Sequence, residues 1–278
     1  SNAQDWQLDE KAQARLNTSG SSGAAQVLVK TLAQMQAEAQ ALTALLPFAQ
    51  SGAVALGSVS PQHLYGFTFR FAVPLSAGWP LARAQYVYPE TLLAATAAHE
   101  SVVWITSPAL LGRMGEARNW AAVQPKLRGI LSAGGALPAA TSHLLVRCAV
   151  MPFEIYGSTE TGVMAWRHRQ DETTLWQPFP GVTFNGDRVT SPLIHEAEGL
   201  QLDDILHFDS EGLFSIAGRR GRVVKIEEKR ISLNEIERRL LELDGICEAA
   251  ALPVTRGGRQ GIGALLVLDE AVRQRGYM

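Results

Sequence analysis

Four stretches of the chain combine residue types that can hold a phosphorylated ligand. Thr18-Ser19-Gly20-Ser21-Ser22-Gly23 alternates hydroxyls with glycines. Glycine lets successive backbone N–H groups converge on an anion, and flanking hydroxyls add donors, so such a loop can cradle phosphates. No Gly-Lys-Ser/Thr follows, which excludes a Walker A loop, and the same composition also makes a flexible linker. Ile155-Tyr156-Gly157-Ser158-Thr159-Glu160-Thr161-Gly162 follows an apolar run. It sets an aromatic ring, hydroxyls and a carboxylate at a strand's C-terminal edge, where open α/β sheets bind ligands. The alternative is a polar turn with a capping glutamate. Leu131-Ser132-Ala133-Gly134-Gly135-Ala136-Leu137-Pro138 is either a surface for close approach of a flat ligand or a plain strand-to-helix turn. Last come Leu202-Asp203-Asp204-Ile205, the turn Asp209-Ser210-Glu211-Gly212, Gly218-Arg219 and Val223-Val224-Lys225-Ile226. A carboxylate accepts both hydroxyls of a ribose and an arginine reinforces that contact, although aspartates also occupy turns for turn reasons alone.

These stretches need a scaffold, and the apolar pattern supplies one. Leu32, Met35, Leu42, Leu45 and Leu46 recur at helical spacing, which predicts an amphipathic helix. Short apolar runs at 53–57, 84–88, 102–106, 127–131 and 152–156 read as buried strands, with helices at 90–100 and 138–148 between them. Strands alternating with helices predict α/β layering with parallel pairing. From about 174 to 232 short strands are punctuated by Gly, Asp and Asn. A helix over 233–243 then has Ser232 as N-cap and Glu235 completing a capping box, and strands near 246–252 and 262–268 follow. The stretch Gly218-Arg219-Arg220-Gly221-Arg222 is the expected boundary between domains at 4–218 and 219–278. Ser1-Asn2-Ala3 reads as a tag-cleavage remnant.

Bulk properties exclude several classes. A net charge of −2 argues against a nucleic-acid binder. Cys148 and Cys247 lie far apart without metal-ligand spacing, which argues against a disulfide framework or zinc site and suits a reducing, cytoplasmic setting. No apolar run reaches the ~20 residues that span a bilayer.

Taken in order, the Thr-Ser-Gly-Ser-Ser-Gly loop, Pro61-Gln62-His63-Leu64-Tyr65-Gly66, Gly134-Gly135-Ala136-Leu137-Pro138, Tyr156-Gly157-Ser158-Thr159-Glu160 and the Gly218-Arg219 to Glu235-Ile236-Glu237 block resemble the adenylate-forming superfamily. That superfamily holds acyl-CoA synthetases, peptide-synthetase adenylation domains and luciferases, and the resemblance runs from Thr18 to about Pro253. It implies the adenylate-forming α/β fold, with a layered, N-terminally incomplete large domain and a truncated small α+β C-terminal domain. It also implies ATP-dependent activation of a small carboxylic acid as an acyl-adenylate, then transfer to CoA or to the phosphopantetheine of an acyl carrier protein. By the same resemblance Thr18, Ser19, Gly20, Ser21, Ser22 and Gly23 match the loop that holds the β- and γ-phosphates. Tyr156 and Gly157 match the adenine-stacking segment, with Gly134, Gly135 and Ala136 on the other side of the base. Thr159 matches a phosphate-contacting hydroxyl and Glu160 a magnesium ligand; Asp204 and Arg219 match the ribose contacts, and His63 a histidine beside the acyl pocket. Lys225 belongs to the nucleotide-binding set, and Lys225-Ile226-Glu227-Glu228-Lys229-Arg230 resembles ligases of bacterial aryl-polyene pigment pathways.

The chain departs from the family pattern at several places. Gln26 stands where the loop usually carries lysine, and Lys30 is near that position but not at it. Family members have a long region before the loop, and a C-terminal lysine that reaches the α-phosphate lies past Met278. Glu228 replaces a small glycine beside the pantetheine channel, which leaves CoA and a carrier protein both open as acceptor. Two further readings stand beside the ligase: a nucleotide- or acyl-binding remnant acting as a scaffold, and an α/β domain with chance motifs.

Overall fold

The computed structural model describes residues 12–18, 26–116, 118–171, 173–219, 223–226, 229–256 and 259–269. The chain divides into two compact units, Ser1–Leu200 with Asp209–Phe214, and Gln201–Phe208 with Ser215–Met278.

The first unit opens with an antiparallel hairpin, β1 (Gln13–Thr18) and β2 (Gln26–Thr31), paired from Gln13 with Thr31 to Thr18 with Gln26. β2 runs straight into α1 (Leu32–Leu45), the helix predicted from apolar spacing. Thr31 caps it: its hydroxyl accepts the Gln34 N–H while the Gln34 side chain accepts the Thr31 N–H, satisfying two otherwise orphaned donors.

Next come β3 (Val54–Gly57), α2 (Leu64–Phe67), a wide π turn at Thr68–Ala72, α3 (Val73–Ala77), β4 (Leu81–Gln85) and α4 (Pro89–Ala97). β5 (Val102–Thr106), α5 (Pro108–Gly112), α6 (Trp120–Val123), β6 (Leu127–Ser132) and α7 (Ala139–Arg147) follow. β7 (Pro152–Ser158), β8 (Gly162–His168) and β9 (Gln177–Pro178) complete the main sheet. One expected strand is displaced. The run at 84–88 ends at Gln85 because Pro89 opens α4 and takes Tyr88 as its extended N-cap.

The sheet has seven strands in the order β4-β3-β5-β6-β7-β8-β9. β4 to β7 are parallel, and β8 and β9 add an antiparallel edge. β5, Val-Val-Trp-Ile-Thr, is buried at every position, as expected for a strand covered on both faces. On one face the in-register row Leu56, Trp104 and Ile130 packs with Leu92, Leu110 and Leu145 from the helices. On the other, the Phe48 ring lies against Gly129, where a Cβ would stand 2.4 Å from it, and packs on Trp79 and Phe153. β10 (Thr183–Asn185) and β11 (Arg188–Thr190) form a small antiparallel pair, and β12 (Leu200–Gln201) follows.

The second unit is built of two-stranded pairs: β13 (Asp204–Phe208) with β14 (Phe214–Arg219), β15 (Val223–Ile226) with β16 (Lys229–Ser232), and β17 (Ile246–Arg256) with β18 (Arg259–Leu268). The sequence boundary at 218/219 falls at the end of β14. α8 (Leu233–Leu241) starts from Ser232, whose hydroxyl accepts the Glu235 N–H. Only half of the expected capping box forms, because the Glu235 carboxylate pairs with Arg238 and Arg239 instead. Among the described residues no helix is long and apolar enough to cross a membrane.

Candidate nucleotide site

Parallel strands bring their carboxyl ends to one edge, so the segments that follow β3, β5, β6 and β7 share it. That edge carries His63, at the start of α2, Gly134, Gly135 and Ala136 after β6, and the Tyr156–Glu160 stretch at the end of β7. His63, Gly134, Gly135, Ala136, Gly157 and Glu160 are exposed, while Tyr156 and Thr159 are half-buried. Gly134 has φ +87°, and a Cβ built on it would meet nothing within 4 Å, so the backbone there is bare to an incoming group.

A buried polar row lies directly beneath this edge. Register pairs Thr106 with Ser132, Ser132 with Glu154, and Glu154 with Arg167. The Ser58 hydroxyl extends the row by donating to Thr106 Oγ1 at 3.0 Å. Ser132 Oγ is buried without a hydrogen-bond partner among the described residues. Glu154 is 3% exposed and takes a two-pronged contact from Arg167, Nε to Oε1 at 3.1 Å and Nη2 to Oε2 at 3.0 Å. Arg169 lies 3.7 Å from the same carboxylate and donates to the Leu137 carbonyl at 2.9 Å. The Arg167 guanidinium lies 4.3 Å from the Trp176 ring centroid, and Trp176 in turn packs 5.8 Å from Tyr156. One carboxylate and two arginines thus connect the glycine loop's far end with the aromatic neighbour of Tyr156. Sequence reasoning missed this group. The signal was present: Glu154 stands two residues before Tyr156, and alternate residues of a strand share a face.

The Tyr156–Glu160 segment is the tip of the β7–β8 hairpin. Ser158 and Thr161 exchange hydrogen bonds across the turn, leaving the Thr159 hydroxyl and the Glu160 carboxylate without hydrogen bonds to described residues. Behind the turn stand two charged side chains that sequence reasoning did not place there. Lys30, 3% exposed, donates to the carbonyls of Glu160 and Leu193, each at 2.7 Å. Burial pulls its ammonium below the ordinary lysine range, against the attraction of Glu38, Glu160 and Glu196. Glu38, 6% exposed, accepts the Val163 N–H at 2.7 Å. Burial pushes its carboxyl up to about 7, opposed by that N–H and by Lys30. The fit is close: Gly162 has φ +69°, and a Cβ there would sit 2.5 Å from Glu38 Oε1 and 2.1 Å from Leu193 Cδ1.

The remaining expected residues are placed only in part. Ser19, Gly20, Ser21, Ser22 and Gly23 lie outside the described residues, as do the side chains of Thr18, Arg219 and Lys225. Asp204 opens β13 and Arg219 closes β14, its hydrogen-bonded neighbour, so both stand at the same end of that hairpin. Away from the carboxyl edge, a cavity of about 460 Å³ is lined by Leu45, Phe153, Trp166, His168 and Gln177 among others, around the start of β7. Among the described residues no cluster of three or more His, Cys, Asp or Glu is arranged to hold a metal ion. Magnesium does not require one, since it commonly takes a single carboxylate plus water and substrate phosphates, and the exposed Glu160 offers such a hard oxygen donor.

The fold is thus a mostly parallel sheet with small, aromatic and acidic residues gathered at its carboxyl edge, the edge at which open α/β sheets bind ligands. The AMP-binding enzyme family matches residues 16–189, and the chain belongs to that family. A 4-coumarate–CoA ligase from Rhodobacter capsulatus is 29% identical over 247 residues, covering 87% of this chain and 61% of that protein. Among solved structures, a benzoate CoA ligase from Burkholderia xenovorans superposes with a TM-score of 0.76 at 19% identity, over 97% of this chain and 60% of that one. O-succinylbenzoate coenzyme A synthetase from Bacillus subtilis, in complex with AMP, gives 0.77 at 18% identity, over 95% and 61%. These structures share the adenylate-forming fold with this chain, which spans about 61% of the length of the 4-coumarate–CoA ligase it matches.

Proposed function

We propose that this chain is the nucleotide-handling part of an AMP-forming acid–thiol ligase. The observation that carries the reading is the β7–β8 tip, where Tyr156, Thr159 and Glu160 face the same edge as the bare Gly134–Ala136 backbone. In the proposed reaction a carboxylate oxygen attacks the α-phosphorus of ATP and pyrophosphate leaves. A thiol then attacks the acyl carbon of the adenylate and AMP departs. Carboxylate and nucleotide are both anionic, so the protein's main task is to hold them together and offset charge rather than to supply a nucleophile. Glu160 would hold magnesium, which when bound would neutralise charge on the phosphates. Tyr156 would take the adenine on its ring and Gly134–Ala136 the opposite face, while Thr159 would donate to a phosphate oxygen. The phosphate loop Thr18–Gly23, the ribose contacts Asp204 and Arg219, Lys225 and the acyl-side His63 complete the proposed set. The substrate is a small carboxylic acid, and the acceptor is CoA or a carrier-protein phosphopantetheine. The free thiols of Cys148 and Cys247 suit the reducing cytoplasm.

A second reading, a binding remnant without turnover, draws support from two residues. Gln26 supplies no cation to the phosphate loop, and Lys30 cannot replace it while its ammonium donates to two backbone carbonyls. Acid-dependent ATP–pyrophosphate exchange with the full-length protein, assayed over aryl and medium-chain acids, separates the two. Exchange with at least one acid is the result expected of the ligase; ATP binding without exchange for any acid would support the remnant.

A further inference from the structure

The charged pair behind the β7–β8 turn has no place in the roles assigned so far. Lys30 is the penultimate residue of β2 and Glu38 lies seven residues past the Thr31 cap on α1, so both come from the arm that follows the phosphate loop. Their contacts fall on the backbone from the proposed metal ligand onward. Lys30 holds the carbonyl of Glu160 itself, and Glu38 holds the amide of Val163, three residues on. The same arm reaches the segment behind the turn: Lys30 donates to Leu193 O, and the Gln34 amide donates to Pro192 O at 3.0 Å. That segment closes the ring by donating Ser191 Oγ to Thr161 O at 3.0 Å.

Packing alone does not call for charges here. Burying an ammonium and a carboxylate carries a desolvation cost, and apolar side chains of similar volume join elements at least as well. What a lysine adds is several directed donors on one atom, and what a carboxylate adds is a strong acceptor for one N–H. The carboxylate is spent on the Val163 N–H and the ammonium on the Glu160 and Leu193 carbonyls, so both ends of the span Glu160–Val163 are tied to the arm.

We infer that Lys30 and Glu38 are positioning residues for Glu160, setting its carboxylate for a divalent cation from the backbone side. The inference rests on the reading of Glu160 as the magnesium ligand. It also gives Lys30 a task other than standing in for the missing loop cation.

The test is ATP binding by the full chain, titrated with magnesium and repeated with the metal chelated. Replacing a group that orients a metal ligand typically costs ~10–100-fold in metal affinity, so Lys30→Met and Glu38→Ala should raise the apparent magnesium dissociation constant by about that factor. Metal-free ATP binding should change less than about twofold, since both side chains are engaged with backbone groups behind the turn. Glu38→Gln keeps an oxygen for the Val163 N–H and should restore near-parental magnesium dependence. A purely structural role predicts instead that the melting temperature falls while magnesium dependence stays parental in every variant that folds, and that result overturns the inference. Should Lys30→Met not fold, the comparison of Glu38→Ala with Glu38→Gln decides alone. If the parent chain binds ATP without any magnesium dependence, the Glu160 reading fails and takes this inference with it. Parental magnesium dependence left unchanged by both variants sinks only the positioning role.

Discussion

Glu38→Gln should make the protein more stable in mild alkali. Glu38 is buried on α1, with Lys30 on β2 as its charged neighbour and Glu160 and Glu196 around that lysine. Its carboxyl is raised from 4.5 to about 7, chiefly by burial. An acid whose folded pKa exceeds its unfolded value binds its proton more tightly in the native state. Its contribution is therefore fully present below about 4.5 and is lost as pH rises through about 7. At about 1.4 kcal/mol per unit, that gap amounts to roughly 3 kcal/mol of stability lost by about pH 8. Glutamine keeps the oxygen acceptor and carries no charge to desolvate, but its NH₂ needs acceptors that the site was not built to supply, at a cost of about 1 kcal/mol. The variant should therefore be less stable than the parent by roughly 1 kcal/mol near pH 3.5, about equal to it near pH 5 and more stable by roughly 2 kcal/mol near pH 8. Urea unfolding followed by tryptophan fluorescence across this range reads the difference directly. Parallel stability curves for parent and variant would refute the reasoning.

Glu154→Ala leaves the buried Arg169 and the half-buried Arg167 without their shared carboxylate, and should cost about 3–5 kcal/mol in denaturant unfolding. Gly162→Ala forces a Cβ into Leu193 and Glu38 at a left-handed φ, so its melting temperature should fall by an amount equivalent to about 1–3 kcal/mol. Glu160→Gln changes an exposed carboxylate and should alter stability by less than about 0.5 kcal/mol while removing magnesium-dependent ATP binding, which calorimetric titration with and without the metal will separate. Asp204→Ala should weaken ATP binding by about 1.5–3 kcal/mol for each charge-assisted hydrogen bond lost, measured as the ATP dissociation constant.

Much of the scaffold could be read from local pattern. The spacing of Leu32, Met35 and Leu42 marks α1, and the unbroken apolar run Val102–Ile105 marks a strand buried on both faces. Tyr156–Glu160 was legible as a strand-end turn, since a glycine and hydroxyls follow an apolar strand there. The β1–β2 hairpin was not, because Gln13–Thr18 is mostly polar and a two-stranded ribbon imposes little apolar alternation. Lys30 and Glu38 carry no local signal of burial on a polar-rich arm. Their burial depends on partners 130 and 125 residues away, and no local rule registers a contact at that separation. Glu154 lay hidden for the same reason in part, since Arg167 becomes its neighbour only once β7 and β8 pair.

The most direct test of the nucleotide site is a crystal structure of the chain grown with AMP or with ATP and magnesium. Adenine should lie on the Tyr156 ring with Gly134–Ala136 across from it, and the phosphates should run toward Thr159 and Glu160. Nucleotide bound instead in the cavity beside Phe153 and Trp166, with the carboxyl edge of the sheet bare, would contradict the account.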